Sequence, residues 1–292
     1  NIGSATATTY APSALTQTTY YRRRAVTTSA DTAYTSALTV TVNATTVGGS
    51  VAGGATVCSG INSTALTLSG HTGTIVRWQS ATNAGFTTGL TNIASTSGLT
   101  SYTATNLTAT TYYRAVLKSG VCDTAFSSGA TVTVNPLPST PSSGVGASRT
   151  GTGTVTISAS VGSGETIDWY AASTGGSVLS GGTGVTSFTT PSISTTTTYY
   201  AQARNTTTGC ISSARLAVVA TVNNALSAGT VGTSQTICSG ATPSAFTSTT
   251  AASGGTGTIS YQWQSSTTST SAGFANIGSA TATTYAPGAL TQ

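Results

Sequence analysis

Few residues in this chain of 292 could do chemistry, and they are thinly spread: one His, four acidic residues, four Cys and nine Lys/Arg. Glu165 and Asp168 stand closest to the paired carboxylates that hydrolyse glycosides. Asp168, however, precedes Trp169 on a predicted strand and Glu165 lies in the turn before it, so a solvated turn is the expected role. His71 sits in a Gly-Ser-Thr loop with no acid or Cys nearby in sequence, which predicts an exposed loop histidine. No Gly-rich stretch follows a strand and opens a helix, as a phosphate-binding loop must. There is neither an Asp-rich calcium loop nor a Cys/His cluster with zinc spacing. The residue types therefore predict no catalytic group, no metal, no cofactor and no enzyme.

The cysteines carry information about compartment. Cys58 opens one repeat unit and Cys122 lies near its end. A bridge between them would close a loop of about 64 residues, worth about 4 kcal/mol in the chain-entropy model. Cys238 is the counterpart of Cys58, Val57-Cys58-Ser59-Gly60 matching Ile237-Cys238-Ser239-Gly240. Its expected partner position, aligned on Asp-Thr-Ala, is Ala30. Cys210 holds the late-loop position of a unit with no early Cys, so Cys210 and Cys238 either pair across units or stay thiols. Disulfides of this kind imply an oxidising, extracellular setting. Arg22-Arg23-Arg24 is the densest charge and could contact anionic glycans or protect an edge strand. Alternation requires at least one of the three to face inward or lie along the sheet. Arg22 and Arg114 are thus candidates to stack over the unit's Trp. Thr alternation at residues 5–9 suits a strand because Thr is β-branched, and it lacks the short period of a flat ice-binding array.

Positioning elements follow from the repeats. The first 17 residues return as residues 276–292 with one change, Ser13 against Gly288, at an offset of 275. That predicts a window on a longer tandem array. Within the period, Trp78, Trp169 and Trp263 each lie in a short apolar run. Thr-Thr-Tyr-Tyr blocks follow 30 to 34 residues later, at 18–21, 110–113 and 197–200. Alternating strands then close each unit at Asn43, Asn135 and Asn223. The predicted organisation is the end of one module (1–43), two whole modules (44–135 and 136–223, the latter of a second type) and the start of another (224–292). Residues 18–43 supply the equivalent of the strands that last fragment lacks.

Short period-2 segments separated by Gly, Ser and Thr, with no helical period, predict an all-β chain: tandem immunoglobulin-like β-sandwiches in a linear array. A Trp on a central strand and a Tyr near the start of a later one fit that arrangement, with Trp78, Trp169, Trp263, Tyr20, Tyr112 and Tyr199 as core. The usual inter-sheet bridge is missing, since Arg22, Arg114 and Ala201 follow the Tyr pairs. Pro136-Leu137-Pro138 reads as a stiff junction. No apolar run is long enough to span a membrane, and no signal peptide is visible. A net charge of +5 without a basic stripe argues against nucleic acid.

These markers carry a resemblance. The run from Ile237-Cys238-Ser239-Gly240 to Gln292, continued by TTYYRRRAVTTSADTAYTSALTVTVN (residues 18–43), resembles the Ig-like repeats of giant secreted surface proteins of Bacteroidota. Residues 136–223, with GTGTVTISASVGSGETIDWYAASTGG and TTYYAQARNTTTGCISSARLAVVATV, resemble a second Ig-like type that alternates with the first. The resemblance implies export by the type IX route and a role as adhesin, surface filament or stalk of a secreted enzyme. It also implies a Cys within Arg149-Thr150-Gly151, bonded to the Cys210 position; here Thr150 stands instead. Asp31-Thr32-Ala33 and Asp123-Thr124-Ala125 fit its O-glycosylation signal, at Thr32 and Thr124. The function expected is an extracellular structural filament or adhesin stalk, at the cell surface or secreted. Its partners would be neighbouring modules, copies of itself, or cell-surface and environmental glycans. The alternatives are a glycan-binding array, with Arg22, Arg23 and Arg24 as contacts, and a spacer in a secreted polysaccharide-degrading enzyme.

Overall fold

The computed structural model describes residues 2–3 and 5–291. Two compact units, 1–137 and 138–292, divide the chain. Every regular element among the described residues is a strand. Among the described residues no helix is long and apolar enough to cross a membrane.

In the first unit, β1 (Thr19–Tyr21) pairs with β4 (Leu38–Val40), enclosing a pair formed by β2 (Arg24–Val26) and β3 (Thr32–Tyr34). A complete sandwich follows. Its strands are β5 (Ser50–Ala52), β6 (Ala55–Cys58), β7 (Ser63–Ser69), β8 (Thr74–Ala81), β9 (Thr91–Ile93), β10 (Ser101–Thr105), β11 (Thr111–Lys118), β12 (Ala125–Phe126) and β13 (Ala130–Asn135). One sheet has the order β10-β7-β5; the other runs β6-β13-β11-β8-β9, with β12 also on β11. The first edge strand is split between the sheets: β5 joins one, and β6 pairs in parallel with β13 in the other. Gly53 makes that corner. Its φ of 97° lies in the left-handed region, and a side chain there would strike the Ala65 carbonyl.

Alternation decides which residues enter the core. Along β7, Thr64, Leu66 and Leu68 are buried while Ser63, Ala65, Thr67 and Ser69 are exposed. They meet Ile75 and Trp78 of β8, Tyr113, Ala115 and Leu117 of β11, and Val132 of β13. Trp78 is fully buried, and its indole N–H donates to the Leu99 carbonyl at 2.8 Å, so burial leaves no donor unmet. Burying roughly 200 Å² of indole at about 25 cal/mol per Å² is worth about 5 kcal/mol.

The second unit repeats the plan with β14 (Ser142–Val145), β15 (Ala147–Thr150), β16 (Thr156–Ser160), β17 (Glu165–Tyr170), β18 (Ser187–Thr189), β19 (Thr197–Asn205) and β20 (Leu216–Asn223). The sheets are β14-β16-β18 and β15-β20-β19-β17, β15 again parallel to the last strand. Trp169 is fully buried and donates to the Val185 carbonyl at 2.9 Å. Residues 224–291 carry only β21 (Thr230–Val231), β22 (Ser248–Thr250), β23 (Gln264–Ser265) and β24 (Ala275–Asn276), in two separate pairs.

A chain of three aromatic rings crosses each complete core. Trp78, Tyr102 and Tyr113 stand at centroid distances of 5.9 and 5.5 Å; Trp169, Phe188 and Tyr199 stand at 5.8 and 5.7 Å. Tyr113, not Tyr112, is therefore the core tyrosine of residues 44–135. Tyr20 is likewise displaced, being 69% exposed while Tyr21 packs on Tyr10 at 5.9 Å. The reason is register. Ala115 and Ala201 sit opposite the two tryptophans, and the residue two before each alanine shares its face: Tyr113 in one case, Tyr199 in the other. Trp263 is half-buried, stacked on Phe246 at 5.9 Å and packed on Tyr285 at 5.9 Å.

Candidate functional site

The carboxylates do not converge. Asp168 and Glu165 differ in strand parity, so β17 directs them to opposite faces. Glu165 closes its own turn by accepting from the Gly162 amide at 3.0 Å. Asp168 is not in a solvated turn: it is buried, and Arg204 grips it through Nε–Oδ2 at 2.7 Å and Nη2–Oδ1 at 3.1 Å. Gly184 donates a third hydrogen bond at 2.9 Å. Burial pushes the Asp168 pKa upward, but the Arg204 hydrogen bonds, the Gly184 amide and the Arg204 charge outweigh it and hold it below the usual carboxylate value. With its oxygens committed, Asp168 is a structural ion. His71 is half-buried in the turn between β7 and β8. Among the described residues, no three His, Cys, Asp or Glu side chains gather as a metal site.

The outward face of the Trp-bearing sheet holds the arginines. In residues 44–135, Arg114 lies between Phe86 and Phe126, its guanidinium carbon 4.3 and 3.8 Å from the two ring centroids. Arg114 Nε donates to Gln79 at 2.9 Å, and Gln79 and Arg77 both donate to Asn92 at 2.8 Å. Desolvation lowers the Arg114 pKa. In residues 136–223, Arg215 stacks on Tyr170 at 3.3 Å and donates to Gln202, Ala172 and Gly175. Tyr170, Gly175, Gln202, Ile211 and Arg215 line a shallow cleft of about 400 Å³. Arg22 stacks on Tyr34 at 4.0 Å. The expected stacking of Arg22 and Arg114 over Trp is thus corrected. Arg114 lies opposite Gln79, beside the tryptophan in sequence and on the other face of the sheet. Arg22, Arg23 and Arg24 are all exposed.

Neither expected disulfide forms. Cys122 and Cys238 are free thiols. Cys58 ends β6 opposite Asn135, whereas Cys122 follows the far end of β11. The eight residues of β11 separate them by about 25 Å, at about 3.3 Å per residue, and a disulfide tolerates less than 7 Å between Cα atoms. The pairing of Cys210 with Cys238 fails as well, because Cys238 is a free, exposed thiol. The same topology bears on the position of Thr150. It pairs with Asn223 at one end of the sheet, while Cys210 follows the opposite end of β19. A bridge between those two positions cannot form inside one sandwich. Thr32 and Thr124 are both exposed.

Residues 1–44, 47–136 and 227–292 match the family described as "Domain of unknown function (DUF8696)", together most of the chain. The chain belongs to the DUF8696 family. Between its DUF8696 segments, residues 138–223 match the "Ig-like domain CHU_C associated". No curated protein matches. One similar solved structure is described as "Ca2+-stabilized adhesin helps an Antarctic bacterium reach out and bind ice" (12% identity, TM-score 0.36). That likeness covers 74% of this chain, which spans only 59% of the adhesin structure. Others are the fibronectin(III)-like modules of Clostridium thermocellum CbhA (13% identity, 59% of this chain and 90% of that one, TM-score 0.32) and the titin domains I67–I69 (12%, 76% and 83%, 0.31). The fold is all-β and Ig-like.

Sequence reasoning missed three features here. The Arg204 partner of Asp168 lies 36 residues away, so no local motif announces it. Tyr102, the middle ring of its core, stands apart from the Thr-Thr-Tyr-Tyr marker. Arg215 lacks the Tyr neighbour that draws attention to Arg22 and Arg114.

Proposed function

We propose that this chain is a segment of a tandem array of Ig-like sandwiches that serves as an extracellular filament or adhesin stalk and has no catalytic role. The observation that carries the reading is the divided use of one tyrosine. Tyr10 and Tyr285 are the same residue of the repeated stretch, and both correspond to Tyr102. Tyr102 touches a Trp on one side and a Tyr on the other; among the described residues Tyr285 meets Trp263 and Phe246 but no tyrosine ring, and Tyr10 meets Tyr21 but no tryptophan. Residues 224–292 and 18–43 thus hold complementary halves of one aromatic core. A tandem period of 275 residues joins those halves in every repeat.

In such an array each sandwich buries its own core, and stability is a sum of module and junction terms. Low charge lets neighbouring filaments lie side by side with little repulsion. The resemblance to Bacteroidota surface repeats supports type IX export and O-glycosylation at the exposed Thr32 and Thr124. The mass of the denatured, reduced natural protein tests the reading. A single species many times 28.6 kDa is expected; chains of one period would refute a continuous array.

The cleft beside Tyr170 gives a glycan-binding reading its best foothold. Arg215 is already spent on Tyr170, Gln202 and two carbonyls, so a sugar would meet few free donors. Saturable, competable signal from residues 44–223 on a glycan array would favour that reading. No such signal is expected from a stalk.

A further inference from the structure

We infer that Cys122 and Cys238 are the two halves of a disulfide staple between successive modules, joining Cys122 to the Cys238 of the repeat that precedes it. This rests on the tandem-array reading and goes beyond it, because it assigns a covalent cross-link at one defined joint.

Two placements meet at Asn43. The first is that of Cys122, whose sulfur lies 3.9 Å from the Asn43 carbonyl and 3.6 Å from that of Ala44. Cys122 therefore rests against the chain where residues 1–43 pass into the next sandwich. The second comes from the complete module, where Cys58 lies directly opposite Asn135, the last residue of the closing strand. The Ser59 amide also donates to the Asn135 carbonyl at 2.9 Å. Asn43 is the repeat equivalent of Asn135, and Cys238 that of Cys58. In a joined array, a Cys238 thiol stands beside Asn43 as Cys58 stands beside Asn135. Parallel neighbours are about 4.8 Å apart, so both thiols come to lie at Asn43.

The turn around Cys238 is already built for that position. Gly60 donates to the Leu107 carbonyl at 2.9 Å; Gly240 donates to the Leu290 carbonyl at 2.8 Å, Leu290 being the repeat equivalent of Leu107. What differs is the strand beside it. β6 exists because β13 pairs with it, whereas residues 235–238 form no strand here, since the sequence equivalent of β13 for them lies at residues 38–43. This also explains why both thiols are free in the chain: each has its partner in an adjoining repeat. A bridge inside one sandwich is excluded by the length of β11.

Closure follows ordinary exchange chemistry. The thiolate of one cysteine attacks the disulfide of a thiol–disulfide oxidant, forming a mixed disulfide. The second thiolate then attacks the module's sulfur, the S–S bond forms, and the oxidant leaves as a dithiol. Two protons leave the cysteines and two electrons pass to the oxidant.

The test uses the natural protein, isolated without reductant. Free thiols are blocked with iodoacetamide, the protein is digested with trypsin, and linked peptides are mapped by mass spectrometry. The expected result is a Cys122 peptide joined to a Cys238 peptide, lost on reduction, with neither residue alkylated beforehand. Alkylation of both residues before reduction, or linkage of either to another cysteine, overturns the staple. The denatured mass separates this from the array reading. Linked peptides from a species that falls to one period on reduction uphold the staple and refute the continuous chain. A very large reduced species whose Cys122 and Cys238 were both alkylated refutes the staple alone.

Discussion

The sandwiches at 44–135 and 136–223 share an interior and differ on one face. Both are crossed by three rings, Trp78–Tyr102–Tyr113 in one and Trp169–Phe188–Tyr199 in the other, at nearly the same spacings. Both split the first edge strand between sheets and return it parallel to the last. The outward faces diverge. One carries Arg114 clamped by Phe86 and Phe126 within a neutral amide network; the other carries a buried Asp168–Arg204 ion pair and Arg215 on Tyr170. The shared interior gives the two types one fold, and the divergent faces place a buried ion pair in only one of them.

The largest effect lies in the shared interior. Trp78→Ala and Trp169→Ala should each cost about 3–5 kcal/mol, measured as denaturant midpoints of the affected transition. A loss below about 1 kcal/mol in only one would show that the cores are not equivalent.

Next comes the ion pair. Asp168→Asn leaves Arg204 without its counter-charge and should destabilise residues 136–223 by about 1–2 kcal/mol, since Arg204 is partly exposed and can be hydrated. The folded pKa of Asp168 lies below its unfolded value near 4, so its stabilisation is present above about pH 4 and lost as pH falls through the folded pKa. The only carboxylate in residues 44–135 is Asp123, which is exposed. Acid titration followed by hydrogen exchange should therefore open residues 136–223 first. Simultaneous opening would remove the proposed contrast.

Arg114→Ala should cost about 1 kcal/mol, as two ring contacts and a covered aliphatic stem are lost. Arg114→Lys should recover only part of it, because an ammonium cannot fill the slot between two rings.

The smallest effect appears in alkali. Burial pushes the Tyr113 hydroxyl up to about 12, so the folded form holds its proton where the unfolded chain, near 10, has lost it. That contribution is complete below about pH 10 and fades as pH rises towards 12. Burial raises the Tyr199 hydroxyl as well, so ultraviolet titration should show late tyrosine absorbance that falls by one residue in Tyr113→Phe and is unchanged in Tyr112→Phe.

Some of this is legible in the sequence and some is not, for identifiable reasons. Alternation and the spaced tryptophans announce β-sandwiches, because burial on one face writes a period of two into each strand. Choosing between adjacent tyrosines requires the cross-strand register, which no single strand contains. Hence the Thr-Thr-Tyr-Tyr marker points to Tyr112 and Tyr20 where the rings in contact are Tyr113 and Tyr21. The cysteines mislead for a related reason: sequence separation says nothing about which end of a sheet a loop occupies. Asp168 is readable as a strand residue, but its burial depends on Arg204, brought to it by the pairing of β17 with β19.

Whether residues 224–292 and 18–43 close into one sandwich is tested most directly by pulling single molecules of the natural protein under reducing conditions. The account predicts three unfolding events per period, each releasing about 90 residues, or about 30 nm of chain. Two such events per period, with a featureless stretch of about 95 residues between them, would contradict it.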